Sequence, residues 1–275
     1  MIRSGPALVT GASAGLGREY ARALAARGHD LVVVARRADR LDALREELTG
    51  RFGVAVETLV CDLATDDGLA DCRRALERFP LEIAVLNAGF GSLGPFVDAD
   101  REREDRMVRV NCLAVVDLAR SVLPGMVSRG SGQVIVISSA AAWHPVPYMA
   151  TYAATKAFEM HFVRALSEEV RGSGVGVLAV CPGPTQTEFS EVLTAAGRVG
   201  SGWPSFMPID RPRDVVERTL RAVDQGRSVV ATGRVATLTR IAGRIVPSAW
   251  SLRVVGTVHR RRARTRATAG NLGEN

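Results

Sequence analysis

The chain has 275 residues, 47% hydrophobic and 24% charged, with four cysteines and a formal net charge of +7. That suffices for one large α/β domain with a substantial core, and the balance is ordinary for a globular protein. The cysteines, at 61, 72, 112 and 181, have neither metal-ligand nor redox spacing, and the excess positive charge is confined to the C-terminal tail, so neither a metal site nor nucleic-acid binding is expected.

A strand is predicted at Ala7–Thr10, close to the N-terminus, and no signal peptide is expected before it. Nowhere do 18 apolar residues run together, so no spanning helix is predicted. The strand leads into "VTGASAGLGRE", which places glycines at 11, 15 and 17 around Ser13 and Leu16. Glycines in a strand-to-helix turn let backbone approach a diphosphate at the helix N-terminus. The spacing departs from G-x-G-x-x-G, and a plain tight turn would use the same residues. The following helix sets Leu16, Tyr20, Ala23 and Leu24 on one face and stops at Gly28.

The second strand, Asp30–Ala35, ends "LVVVARR". A dinucleotide site selective for NAD wants an acid here, to bond the ribose 2′-hydroxyl. The chain offers Ala35, followed by Arg36 and Arg37, and an arginine suits the 2′-phosphate of NADP through charge-assisted bonds. A helix follows with Leu41, Leu44 and Leu48 inward. Further strands are predicted at Val54–Cys61, Ile83–Asn87, Gln133–Ser138, Val175–Cys181 and Ser228–Ala231, separated by helical segments. Strands this apolar, alternating with helices, form a parallel sheet covered on both faces, a doubly wound α/β fold.

The chain holds 36 basic residues, and Lys156 is its one lysine. It follows Tyr152, one of three tyrosines, by four residues, so on a helix the two share a face. A phenol of ordinary pKa, about 10, is a poor acid or base at neutral pH. A neighbouring ammonium favours the phenolate and draws that value down. Ser139, just past the strand "QVIVIS", can hydrogen-bond a substrate oxygen beside the tyrosine.

Together, "TGASAGLG" at 10–17, "CDL" at 61–63, "NAG" at 87–89, Asn111, Ser139, "YAATK" at 152–156 and "PG" at 182–183 resemble the short-chain dehydrogenase/reductase family. Each piece is weak alone; their order and spacing are specific, and they cover about residues 6–232. The resemblance implies a single Rossmann domain and an NAD(P)-dependent oxidoreductase acting on a carbonyl/alcohol pair. It implies that Tyr152 is the general acid/base, that Lys156 lowers its pKa and holds the nicotinamide ribose, and that Ser139 positions the reacting oxygen. Asn111 would hold a water that links Lys156 to solvent for proton relay, and bonding backbone as a helix-interior polar residue is compatible with that role. Gly11, Ser13, Gly15, Leu16, Gly17 and Arg36 would line the diphosphate and adenosine end of the cofactor. Asp62 and Leu63 would meet the adenine, and Asn87, Ala88 and Gly89 would line the cleft. Pro182, Gly183, Thr185 and Thr187 would face the nicotinamide. NADP-preferring relatives often carry a basic residue where this chain has Ala14, so the choice of NADP rests on Arg36.

The domain is expected to run over 1–233, with a lid at about 184–210. Phe189, Leu193, Trp203, Phe206 and Met207 in the lid suit an apolar substrate as well as simple packing. His144 is expected as an exposed loop residue. Residues 234–275 form a basic amphipathic extension with stripes at Leu238, Ile241 and Ile245 and at Trp250, Val254 and Val258. They are expected to pack on the body or on a second subunit, a peripheral membrane contact being the alternative. The expected function is reduction of a ketone or aldehyde, or the reverse oxidation, by a cytoplasmic homo-oligomer. A 3-oxoacyl reductase and a non-catalytic NADP-binding sensor are the alternatives.

Overall fold

All seven predicted strands form, and they assemble one parallel sheet in the order β3-β2-β1-β4-β5-β6-β7. The computed structural model describes residues 5–189, 208–245, 252, 253 and 257. The strands are β1 Ala7–Thr10, β2 Leu31–Ala35, β3 Val56–Val60, β4 Ile83–Leu86, β5 Gly132–Ile137, β6 Val175–Pro182 and β7 Val229–Thr232. Every residue of β1 and β2 is buried, as expected of strands covered on both faces.

Helices α1 Gly15–Ala25, α2 Ala38–Phe52, α3 Asp66–Leu76, α4 Arg101–Val108, α5 Ala114–Arg129, α6 Ala150–Glu169, α7 Pro212–Asp224 and α8 Arg234–Ile245 supply the outer layers. Two cores result, one on each side of the sheet. On one side Tyr20, Leu24, Leu41, Leu44 and Leu48 meet Val9, Val33 and Leu178. On the other, Leu118, Val122 and Met126 of α5 meet Leu8, Val34 and Val134. The expected helix faces are thus the buried ones. Tyr20 is fully buried because its hydroxyl is satisfied by Thr219 on α7, 2.8 Å away.

Helices α4 and α5 are joined through a π-turn at Arg109–Leu113 into a continuous helix, Arg101–Arg129. Among the described residues this is the one helix long and apolar enough to cross a bilayer. Its apolar residues Val115, Leu118, Ala119, Val122 and Met126 are instead buried in the core.

The extension departs from expectation. Helix α8 does pack on the body, but through Ala236, which is fully buried, and Gly243, whose Cα side faces the Trp143 carbonyl and the His144 ring. The expected stripe lies elsewhere: Leu238 is 66% and Ile245 75% exposed, with Ile241 also exposed. Ala236 and Gly243, both small, are what let the helix approach closely, and apolar periodicity overlooks them. The second stripe, Trp250, Val254 and Val258, and the lid residues Leu193, Trp203, Phe206 and Met207 lie outside the described residues.

Candidate active site

Strand β1 pairs with β2 on one side and β4 on the other, so the chain reverses its winding direction there. A crevice forms at the carboxyl ends of strands around such a switch point. Into it opens the glycine turn. Gly11 and Gly15 have φ of +68° and +53°, which a side chain would strain. A Cβ on Gly17 would lie 2.3 Å from the Gly11 carbonyl oxygen and 2.6 Å from Asn87 Nδ2, so only glycine fits. No side chain caps the α1 N-terminus at Ala14, and no acid sits in the first turn. The amide groups there keep their positive field for an anion, as a cofactor diphosphate requires. The segment after β6 crosses this turn, since a Cβ on Gly15 would be 3.2 Å from Thr187.

Asn87 holds the crevice walls together. Its Nδ2 donates to the Thr10 carbonyl at 2.9 Å, and the Asn87 and Ala88 amides donate to Thr10 Oγ1 at 2.9 and 3.0 Å. Asp62 accepts from Arg106 at 2.7 Å and from the Ala64 amide at 3.0 Å. Those bonds hold its carboxyl below the ordinary range although partial burial pushes the other way. Spare lone pairs on the same oxygens remain for an adenine amine. Leu63 is buried beside it.

At the end of β2 both arginines are exposed, and they meet different partners. Arg36 is exposed and its charge acts on Asp62. Arg37 is the one that reaches the glycine turn: its Nη2 and Nε donate to Ser13 Oγ at 3.0 and 3.3 Å. Arg37 and Arg40 also converge on Glu188, at 3.3 and 2.7 Å. Successive residues of extended chain point to opposite sides, so one arginine of the pair faces Ser13 and the sequence does not say which.

Ser139 follows β5, while Tyr152 and Lys156 stand one turn apart on α6, and Ser139 lies beside the Tyr152 phenol, where it favours the phenolate. Ser138 Oγ donates to the Lys156 carbonyl at 2.7 Å, pinning α6 to the strand end. The Lys156 ammonium donates to the Ile137 carbonyl and to Glu159 Oε1, both at 2.9 Å, and lies 5.8 Å from the centre of the Tyr152 ring. Burial pushes the Tyr152 pKa up, and the pull of Lys156 and Ser139 in the other direction does not cancel it. Lys156 thus lowers the value as expected, while burial outweighs it and makes the net shift upward. For Lys156, burial opposes the ammonium but Glu159 and Tyr152 outweigh it, so its pKa is raised.

Asn111, fully buried in the π-turn, donates to the Phe90 carbonyl at 3.0 Å and to Thr155 Oγ1 at 2.9 Å, and accepts from the Phe90 amide at 3.2 Å. It ties the 87–90 loop to α6. A Cβ on Gly89 would be 3.0 Å from Asn111 Oδ1 and 3.3 Å from Lys156 Nζ, which explains the glycine of "NAG".

The surroundings of Tyr152 are apolar: Met107 and Met149 pack with it, along with Phe90, Leu93, Val146 and Phe189. The Phe189 ring centre is 5.5 Å from that of Tyr152. Thr185 bridges to Asp210, and the Asp210 amide donates to Pro184 at 2.8 Å, closing the base of the lid beside Pro182 and Gly183. Tyr148, with φ of 69°, is the one non-glycine residue at positive φ among those described, and it sits on this rim. His144 is half-buried rather than exposed, and a ring nitrogen lies 2.9 Å from the Thr239 carbonyl of α8. Glu159, bonded to the Lys156 ammonium, is the residue at this site that the sequence did not single out. No group of three metal-ligating side chains occurs among the described residues.

The family model for short chain dehydrogenase matches residues 6–197. A very-long-chain 3-oxoacyl-CoA reductase of Pyrenophora tritici-repentis is 32% identical over 233 residues, 82% of this chain but 65% of the relative's own length. Among solved structures, a short-chain dehydrogenase from Sphingobium yanoikuyae in complex with NADPH superposes with a TM-score of 0.76. It is 31% identical and covers 99% of this chain and 96% of its own. The bulky-bulky ketone specific alcohol dehydrogenase from Comamonas testosteroni gives 0.74 at 26% identity, covering 99% and 95%.

Proposed function

The chain belongs to the short-chain dehydrogenase family, and from that premise we propose that it is an NADP(H)-dependent oxidoreductase that reduces a ketone on an apolar substrate. The observation that carries this is the convergence of Ser139, Tyr152 and Lys156 at the mouth of the glycine-lined crevice, in an apolar chamber. Ser13, Arg37 and Arg36 provide positive charge and a hydroxyl where a 2′-phosphate would bind, and the Sphingobium relative holds NADPH. Gly11, Gly15 and Gly17 would admit the diphosphate.

The bound cofactor supplies hydride to the carbonyl carbon. The protein does the rest. Ser139 donates a hydrogen bond to the carbonyl oxygen and fixes its direction toward Tyr152. Tyr152, whose ionisation burial opposes, transfers its phenolic proton to that oxygen as charge develops there. The Lys156 ammonium stabilises the phenolate left behind. Asn111 keeps α6 and the 87–90 loop in register, so the lysine stays beside the tyrosine. Alcohol oxidation runs the same steps backward. A non-catalytic sensor has no use for a buried proton donor and its ammonium.

The 3-oxoacyl thioester reading is favoured by the Pyrenophora relative, and the bulky-ketone reading by the Comamonas enzyme. A panel of 3-oxoacyl thioesters of rising chain length and ketones with two bulky substituents, followed by NADPH absorbance, separates them. Turnover with either class and preference for NADPH over NADH are expected. No NADPH oxidation with any carbonyl compound would defeat the proposal.

A further inference from the structure

Glu159 lies one turn beyond Lys156 on α6, behind the ammonium, and only 1% of its side chain is exposed. A carboxylate is seldom fully buried unless paired and fully hydrogen-bonded. Here one oxygen, Oε1, takes the ammonium at 2.9 Å, while Oε2 is buried without a hydrogen-bond partner. An apolar residue at this helix position would pack without that cost.

We propose that Glu159 is a positioning residue of the proton-transfer site: it fixes the Lys156 ammonium from behind and offsets its field at Tyr152, so that the phenol stays a proton donor into the alkaline range. The inference rests on the reading of Tyr152 as the proton donor. Lys156 has three N–H donors. Ile137 and Glu159 take two, which sets the direction of the third. The ammonium alone would favour the phenolate, whereas a carboxylate behind it repels the second negative charge that a phenolate would bring. The ionisable groups around Glu159 are Lys156 and Tyr152 on its own helix, Cys112 on the π-turn and Cys181 on β6, and its negative charge opposes ionisation of the phenol and both thiols. Burial pushes Glu159 itself up to about 7, with Lys156 pulling it down, so above neutrality it carries the charge this role needs. The consequence is a site whose reductive arm extends to higher pH.

The test is an ultraviolet tyrosinate titration of the cofactor-free protein, comparing wild type with Glu159→Gln, each with and without Tyr152→Phe to isolate the Tyr152 signal. Glu159→Gln keeps an acceptor for Lys156 and removes the charge. The Tyr152 midpoint is expected to fall by about one unit or more, the usual effect of a nearby charge. The alkaline limb of NADPH-dependent reduction should fall with it. Glu159→Met, of similar volume and apolar, serves if the glutamine variant does not fold, and should move the midpoint the same way. A midpoint that is unmoved or rises overturns the inference. The titration needs neither substrate nor cofactor, so this failure is distinct from that of the proposed activity, which would show as wild-type protein without carbonyl reduction.

Discussion

Lys156→Arg preserves charge and tests whether the site needs an ammonium in particular. The Lys156 side chain is 5% exposed, and its Nζ donates at 2.9 Å to two acceptors, Ile137 O and Glu159 Oε1. A planar guanidinium is larger and presents its donors in a fixed fork, so it cannot reproduce that pair while aiming a third bond into the crevice. Neighbouring Gly89 leaves no slack, since even a Cβ there would sit 3.3 Å from Nζ. Overpacking of this kind costs about 1–3 kcal/mol. At roughly 2–4 °C per kcal/mol for a chain of this size, the melting temperature should drop by about 2–12 °C. Losing the positioned support of a general acid should lower kcat by about 10²–10⁴-fold. NADPH-linked kinetics and thermal unfolding measure both. An arginine variant with near-normal kcat, unchanged KM for NADPH and unchanged melting would refute the reasoning and leave the lone lysine without a chemical explanation.

Arg37→Ala should raise KM for NADPH about tenfold or more while leaving KM for NADH nearly unchanged, because it removes the cation bonded to Ser13; Arg36→Ala should do less, and equal losses with both cofactors would contradict the 2′-phosphate assignment. Glu159 also makes stability depend on pH. Burial raises its folded pKa above the ordinary 4.5 to about 7, so the folded state holds a proton in that window that the unfolded state has released, and stability falls as pH rises from about 4.5 to about 7. Glu159→Gln should flatten that slope, which melting temperatures across the window will show, and an equal slope in both proteins would count against a raised value. Ending the chain after Gly233 removes α8 and with it the Thr239 carbonyl that holds His144 at the rim. Lower melting temperature and reduced turnover are expected, and a truncated protein of unchanged activity and melting would show that α8 is dispensable to the site.

What the sequence made legible follows from the range of the interactions. Strands such as Ala7–Thr10 were readable because local apolar runs determine burial, and the inward leucines of α2 because helical period does. The Tyr152–Lys156 pairing is a one-turn relation within α6 and so was equally plain. The choice between Arg36 and Arg37 was not, because it depends on which way an extended segment twists as it leaves the sheet. Nor was the sign of the Tyr152 shift. The ammonium is visible in sequence, whereas the burial that outweighs it also involves Met107 and Phe189, which pack on Tyr152 from two other segments. Nothing in the sequence sets Glu159 apart from other helix acids; its burial by the fold does. The exposed Leu238 stripe failed for the opposite reason: apolar periodicity marks a helix face, but α8 docks through Ala236 and Gly243, whose small size allows closer approach.

The central claim is that Tyr152 donates the proton in an NADPH-dependent carbonyl reduction. Tyr152→Phe removes one oxygen from a buried ring and leaves the packing against Phe189 in place. The decisive measurement is NADPH binding and NADPH-linked turnover of wild type and this variant on the best ketone or 3-oxoacyl thioester. The account predicts that the variant binds NADPH with unchanged affinity and loses turnover by about 10²–10⁴-fold, the usual contribution of a general acid. A phenylalanine variant that reduces the same substrate at the wild-type rate would contradict it.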